Sequence, residues 1–212
     1  LKAAILISGS GTNLQSFIDQ VNNGALSANI ALVFSNRKEA YGLTRAQQAG
    51  IPTACISHRD FADREQFDRA LAAALDEVEP ELIILAGFMR ILSPWFVNRY
   101  AGKILNIHPA LLPKYPGLDT HARALAAGDS HHGSTVHFVT EELDGGPRIL
   151  AGRLPIQDCE SPDALKARVQ ALEHRIYPQA AELFAAGRVR FRDGHALLDG
   201  KPLDEPVLVD FD

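Results

Sequence analysis

The chain has 212 residues, 46% apolar and 22% charged, with 21 Lys and Arg against 26 Asp and Glu, a net charge of −5 and a pI of about 5.9. This composition suits one domain with a substantial core and excludes intrinsic disorder. It lacks the overall basic footprint of a nucleic-acid binder, leaving room only for a local basic pocket.

The elements follow in chain order. "KAAILIS" is a short apolar run closed by "GSG", the pattern of a strand buried on both faces. "TNLQSFIDQVNNG" places Leu14, Phe17, Ile18 and Val21 at helical spacing, with Gly24 after its end. "NIALVFSN" predicts a second strand, "YGLTRAQQAG" a short helix and "IPTACIS" a third strand. "DREQFDRALAAALDEVEP" predicts a long helix with Asp63 as N-cap and Pro80 past its end. "ELIILAGF" and "KILNIH" are the fourth and fifth strands.

Strands alternating with helices imply a Rossmann-like α/β fold, a mostly parallel sheet flanked by helices. The rhythm then changes. "GSTVHFVTEELDGGPRILAGRLPI" reads as an antiparallel pair added to the sheet. A long helix from about Ser161 should be interrupted or kinked near Pro178. "RVRFRDGHALLDG" reads as a terminal hairpin, and "EPVLVDFD" as a tail or packed edge segment. No linker divides the chain, so a single domain over 1–212 is expected. Cys55 and Cys159 are the only cysteines, and two distant thiols without a signal peptide read as a reduced, cytoplasmic protein. The apolar start runs straight into a glycine turn and is too short to span a bilayer.

Ligands of open α/β sheets sit beyond the carboxyl ends of the parallel strands. That rule singles out "SGSGTNL", "SNRKEA", "AGFMRIL" and "NIHPALLPKYPG". In the first, Gly9 and Gly11 allow a tight turn, and the N–H groups of Thr12, Asn13 and Leu14 at a helix start suit an anion such as a phosphate. A dinucleotide fingerprint fails, because its third glycine falls at Leu14 and the second strand ends in Ser35-Asn36 without an acid. A Walker loop fails for want of Gly-Lys-Ser/Thr. On this motif alone, a phosphate site and an ordinary βα turn both stand.

Asn106 and His108 end the fifth strand, and Asp144 sits in the glycine-rich turn "EELDGGP". Each has a bland reading: a buried histidine satisfied by a carbonyl, and a turn aspartate chosen for backbone shape. Together with their surroundings they form longer strings. "SGSGTNLQ", "LAGFMRILSP", "NIHPALLPKYPG", "STVHFVTEELDGGP" and "QALEHRIYP", spread from about Leu6 to Pro178, resemble the glycinamide ribonucleotide formyltransferase family of purine synthesis.

The resemblance implies a catalytic set of Asn106, His108 and Asp144. It places the substrate phosphate at Gly11, Thr12, Asn13 and Leu14, and the sugar and glycinamide part at Gln170 and Glu173. It implies 10-formyltetrahydrofolate as co-substrate. The folate pocket would comprise Arg64; Met89, Arg90, Ile91, Leu92 and Ser93; Asn106; and Thr140, Glu141, Glu142, Leu143 and Asp144. It further implies small-molecule partners, no nucleic acid or membrane, and a monomer or homodimer. Without the resemblance, Glu173 reads as a solvated helix carboxylate and Arg64 as a surface charge. Asp119 departs from the histidine associated with this position in the family, although His121 remains.

The chemistry suits the residue types. An amine attacks a formyl carbon, so the site must donate to an oxyanion and move a proton to the leaving nitrogen. Asn106 is a neutral donor. His108 can donate to the same oxygen or act as general acid, and a carboxylate at Asp144 should favour its charged form. The remaining histidines lack compact ligand spacing and the cysteines form no C-x-x-C pair, so no metal site is expected; His137 reads as a satisfied cleft or core residue. Competing readings are a formyltetrahydrofolate hydrolase, a methionyl-tRNA formyltransferase and a non-catalytic nucleotide-binding module. The tRNA reading suffers from the chain's length and acidity, and the module leaves Asn106, His108 and Asp144 unexplained.

Overall fold

Every residue of the first strand from Ala3 to Ile7 is buried, as a strand covered on both faces must be. The computed structural model describes residues 1–212 as two compact units, Leu1–Leu105 and Asn106–Asp212. The first contains β1 (Lys2–Ile7), α1 (Thr12–Asn22), β2 (Asn29–Ser35), α2 (Tyr41–Gln48), β3 (Thr53–Cys55), a single 3₁₀ turn at His58–Asp60, α3 (Arg64–Asp76), β4 (Leu82–Leu85) and α4 (Pro94–Arg99). Its strands run parallel in the order β4-β1-β2-β3, with Ile5 opposite both Val33 and Ile84. Leu14, Phe17 and Ile18 of α1 and Phe67, Leu71 and Leu75 of α3 are buried at i, i+3/i+4 spacing. Asp63 caps α3 as its position predicts, its carboxylate accepting from Gln66 N at 2.8 Å.

The unit boundary falls within β5 (Ile104–His108). The second unit continues with α5 (Thr120–Ala126), β6 (His131–Phe138), β7 (Arg148–Pro155), α6 (Pro162–Ala185), β8 (Val189–Arg192), β9 (His195–Leu198), β10 (Lys201–Pro202) and β11 (Val207–Asp210). β6 and β7 form the expected antiparallel pair. The C-terminal segment is an edge strand, β11, parallel to β7. The terminal hairpin is β8-β9, extended by β10 into a separate three-stranded antiparallel sheet. No helix is long and apolar enough to cross a membrane.

Two outcomes differ from the sequence pattern. α6 runs through Pro178 without the interruption that the sequence allowed. Its second half is deeply packed, with Ile176, Tyr177, Ala180 and Ala181 all fully buried, and that burial outweighs the lost backbone bond. The short helices α4 and α5 have six and seven residues, fewer than the two turns a periodic pattern needs to show itself.

Gly152 on β7 sets the seat of α6. A Cβ there would meet Leu172 Cδ2 at 2.5 Å and Cγ at 2.8 Å. Leu172 can lie flat on the sheet only over a glycine, and this seats the next residue, Glu173, against β6. Gly152→Ala should therefore destabilise the protein by about 1–3 kcal/mol through overpacking. Urea unfolding checks this, and an unchanged midpoint with unchanged slope would refute it.

Candidate active site

In the first unit, the βα turn after β1 is shaped by close backbone approach. Gly11 precedes α1 with φ 70°, and a Cβ on it would meet Gly42 Cα at 2.6 Å. Gly42 N donates to Gly9 O at 3.0 Å, and Arg45 Nε donates to Ser10 O at 2.8 Å, so the start of α2 braces the turn from outside. No side chain caps α1. Leu14 points into the core, so only its backbone can serve a ligand, whereas Thr12 and Asn13 are half-buried.

The missing acid at the end of β2 has a structural explanation. Asn36 is 2% exposed and accepts from Ser8 Oγ at 2.6 Å, while its Nδ2 donates to His58 Nδ1 at 3.1 Å. Ser8 Oγ in turn accepts from Met89 N at 2.8 Å. One buried polar relay thus ties the glycine turn to the segment 89–93. That segment presents Met89 and Ile91 to solvent, 66% and 55% exposed, and turns Leu92 and Ser93 inward. Ser93 caps α4, and its N–H donates to the buried Asp68 carboxyl. Burial pushes the Asp68 carboxyl above the usual range, opposed by its bonds to Ser93 and the Arg90 and Arg64 charges. Arg90 lies over the Phe67 ring, 5.6 Å from its centroid. Arg64 is exposed, as a first-turn residue would be, but lines a cavity of about 540 Å³ with Gln66, Arg69, Ser93 and Pro94.

In the second unit, strand alternation puts Asn106 and His108 on one face of β5. His108 is 5% exposed. Its Nε2–H donates to Tyr115 O at 2.7 Å, and its Nδ1 lies 3.4 Å from Asp144 Oδ2. A neutral imidazole can donate from one nitrogen; an imidazolium can donate to both acceptors. Asp144 sits at φ 52°, and its Oδ2 also accepts from Gly117 N at 2.9 Å. Asn106 Nδ2 lies 3.2 Å from His137 Nε2. His137 Nδ1 is 2.9 Å from Phe138 O, so Nδ1 carries the proton and Nε2 accepts from Asn106. Burial, the largest cause, pushes the His137 pKa down; the Phe138 carbonyl and Asp144 oppose it, while the His108 charge adds to it. His137 is thus a satisfied buried residue and also the group that orients Asn106.

The same unit brings Glu173 in. It is 8% exposed, not solvated, and Ser134 Oγ lies 2.9 Å from its Oε1 and 2.7 Å from His108 O. Gln170 is half-buried three residues earlier on α6. Of the segment 140–144, Thr140 is half-buried, Glu141, Glu142 and Leu143 are exposed, and Asp144 alone reaches His108. Asp119 is exposed at the start of α5 and makes no cap bond. Ser134, Tyr115 and Gly117 were not legible as site residues, because two act through the main chain and the third is one hydroxyl on an apolar strand. No group of three or more His, Cys, Asp or Glu side chains stands ready to hold a metal ion.

The model of the formyl transferase family matches residues 1–181. The phosphoribosylglycinamide formyltransferase of Escherichia coli is 50% identical over 203 residues, covering 96% of each chain. That of Haemophilus influenzae is 50% identical over 202 residues, covering 95% of each. The solved structure of the Coxiella burnetii phosphoribosylglycinamide formyltransferase superimposes with a TM-score of 0.93 at 51% identity, covering 98% of this chain and 99% of that one.

A second histidine cluster joins α5 to β6. His132, 1% exposed, has Nε2 at 3.2 Å from His121 Nδ1. Burial, then the His121 charge, pushes its pKa down from 6.5 to about 4. A histidine with a depressed folded pKa opposes folding in acid: between about 6.5 and 4 the unfolded chain binds a proton that the folded chain refuses. Stability should therefore fall as pH drops through that window. The urea midpoint of the wild type should decline more between pH 7.5 and about 5 than that of His132→Gln. Parallel declines would remove His132 from the account.

Proposed function

The chain belongs to the formyl transferase family, and from that premise we propose that it transfers the formyl group of 10-formyltetrahydrofolate to the amine of 5-phosphoribosylglycinamide. The products are formylglycinamide ribonucleotide and tetrahydrofolate, a step of de novo purine synthesis. One formyltransferase domain, residues 1–212, carries the activity in this reading.

The observation that carries it is the buried set in the second unit: a carboxamide aimed by a neutral histidine, beside an imidazole facing a carboxylate. The substrate amine attacks the formyl carbon, and the carbonyl electrons move onto its oxygen. Asn106 gives one N–H to His137 and offers the other to that oxyanion. Such a donor is worth about 3 kcal/mol of barrier. With His108 Nε2 committed to Tyr115, Nδ1 is the nitrogen that exchanges a proton. Together with Asp144 it takes the proton shed by the attacking amine and returns one to the leaving folate nitrogen as that C–N bond breaks.

The remaining assignments follow the family pattern. The start of α1 takes the phosphate through the N–H groups of Thr12 to Leu14, where the helix dipole favours an anion. Glu173 and Gln170 take the sugar and glycinamide part. Arg64, the segment Met89–Ser93 and the segment Thr140–Asp144 take the folate. In the first unit, Met89 and Ile91 are among the few large apolar side chains left exposed, which supports the assignment of that segment, since a flat heterocycle would cover such groups. The guanidinium of Arg64 suits the carboxylates at the other end of the co-substrate.

The decisive assay incubates the protein with 10-formyltetrahydrofolate, with and without glycinamide ribonucleotide. Tetrahydrofolate release should require the amine, and the dephosphorylated riboside should be a much poorer substrate. Release without amine would make the protein a hydrolase, and no release with retained nucleotide binding would make it a binding module. Asp144→Asn should lower kcat by roughly 10²–10⁴-fold with both KM values little changed. A kcat near that of the wild type would remove Asp144 from the reaction.

A further inference from the structure

We propose that Tyr115 is the positioning residue of the His108–Asp144 pair, and that Asp129 acts through it. The inference rests on His108 being the proton-handling group. After β5, two residues of one short segment, Tyr115 and Gly117, meet the pair. The Tyr115 carbonyl accepts from His108 Nε2 at 2.7 Å, and Gly117 N donates to Asp144 Oδ2 at 2.9 Å. One short segment therefore holds the imidazole on one side and the carboxylate on the other.

The Tyr115 backbone does not adopt this shape unaided. Its φ is 56°, the left-handed region that a bulky residue occupies only when its surroundings hold it there. The side chain supplies the hold. Tyr115 Oη donates to Asp129 Oδ2 at 2.8 Å, and the Arg123 guanidinium lies 5.2 Å from the ring centroid. Arg123 Nη1 also donates to Pro116 O at 2.7 Å and Leu118 O at 3.2 Å, clamping the main chain on both sides of Gly117. Asp129 closes the arrangement at the end of α5, accepting from Lys114 Nζ at 2.9 Å as well. Releasing the tyrosine ring frees its carbonyl. His108 can then rotate about its Cβ–Cγ bond and turn Nδ1 away from Asp144. The consequence is lost turnover, not lost binding, because no atom of Tyr115 or Asp129 is assigned to a substrate.

Graded variants test this in the intact protein, with thermal unfolding recorded for each. Tyr115→Phe keeps the ring, its stack on Arg123 and the backbone acceptor, and removes only the hydroxyl. It should lose about tenfold or more in kcat with both KM values within about twofold, as small misplacements of reacting groups do. Asp129→Ala should match it. Asp129→Asn, which keeps an oxygen acceptor for the hydroxyl, should stay within about threefold of wild type. Lys114→Met should have no effect on kcat, since that lysine is 60% exposed and surface pairs contribute little. A purely structural role for the Lys114–Asp129 charge pair predicts instead that Asp129→Asn and Lys114→Met fall as far as Asp129→Ala. That pattern, or a Tyr115→Phe kcat equal to or above wild type, overturns the proposal. If Tyr115→Phe fails to fold, the Asp129→Ala to Asp129→Asn ratio decides. Absence of formyl transfer by the wild type would instead refute the functional reading on which the proposal rests.

Discussion

A carboxylate and an imidazole stand face to face with side chains only 8% and 7% exposed, and the segment leaving β5 serves to keep them so. Taking such a pair out of water is costly unless the remaining hydrogen-bonding capacity is met. Here it is met by main chain: Tyr115 O for the imidazole and Gly117 N–H for the carboxylate. Main-chain partners cannot be supplied by a rotamer change, so the loop itself must be shaped to deliver them. That requirement accounts for the density of tethers on the segment leaving β5. Thr135 Oγ1 donates to Ala110 O and accepts from Leu112 N, Arg148 donates to Leu112 O, and Thr120 donates to Pro109 O. The prolines of this stretch limit backbone freedom further by fixing φ.

The first unit works by the same logic with different parts. Its glycine turn is held by α2 through Gly42 and Arg45, and its loop 89–93 by Ser8 and Asp68. In each case hydrogen bonds to the loop, and in the glycine turn also close backbone approach, set the position of a segment proposed to meet a ligand. Apolar packing supplies stability through β1, α1 and α3. The polar relays specify which way a loop leaves the sheet, since an unmet buried donor costs more than a displaced methyl group.

What could be read in the sequence follows from this division. The parallel strands, the capped helix at Asp63, the β6–β7 pair and the edge segment at β11 rest on burial period and capping, which are local properties of the chain. The proximity of Asn106 to His108 was legible because two residues along a strand share a face. The pairing with Asp144 was not derivable from pattern; it came from a resemblance, because the turn that carries Asp144 is remote in sequence. Glu173 reads as a surface carboxylate on helical spacing alone, and is buried because Gly152 lets α6 settle on the sheet. Tyr115 and Gly117 act through a carbonyl and an amide, which every residue possesses, so no side-chain pattern could mark them. At Pro178 the helix is not interrupted, because tertiary burial outweighs the backbone bond that proline removes.

The two histidines closest to the reaction, His108 and His137, are distinguished by what each ring faces. His108 faces a carboxylate and a carbonyl, two acceptors. His137 is sealed from water, bonds one carbonyl and one amide donor, and has Asp144 Oδ1 only at 3.9 Å; burial outweighs that carboxylate and favours its neutral form. This matters for Asn106 because a carboxamide has a donor end and an acceptor end. A charged His137 would present an N–H from Nε2, and Asn106 would turn its oxygen toward it and its NH₂ away from where the oxyanion is proposed to form. Burial that keeps His137 neutral therefore fixes the polarity of the neighbouring amide. The oxyanion donor is preorganised by suppressing a charge on His137, while His108, two residues along β5 from Asn106, keeps the Asp144 carboxylate as its partner.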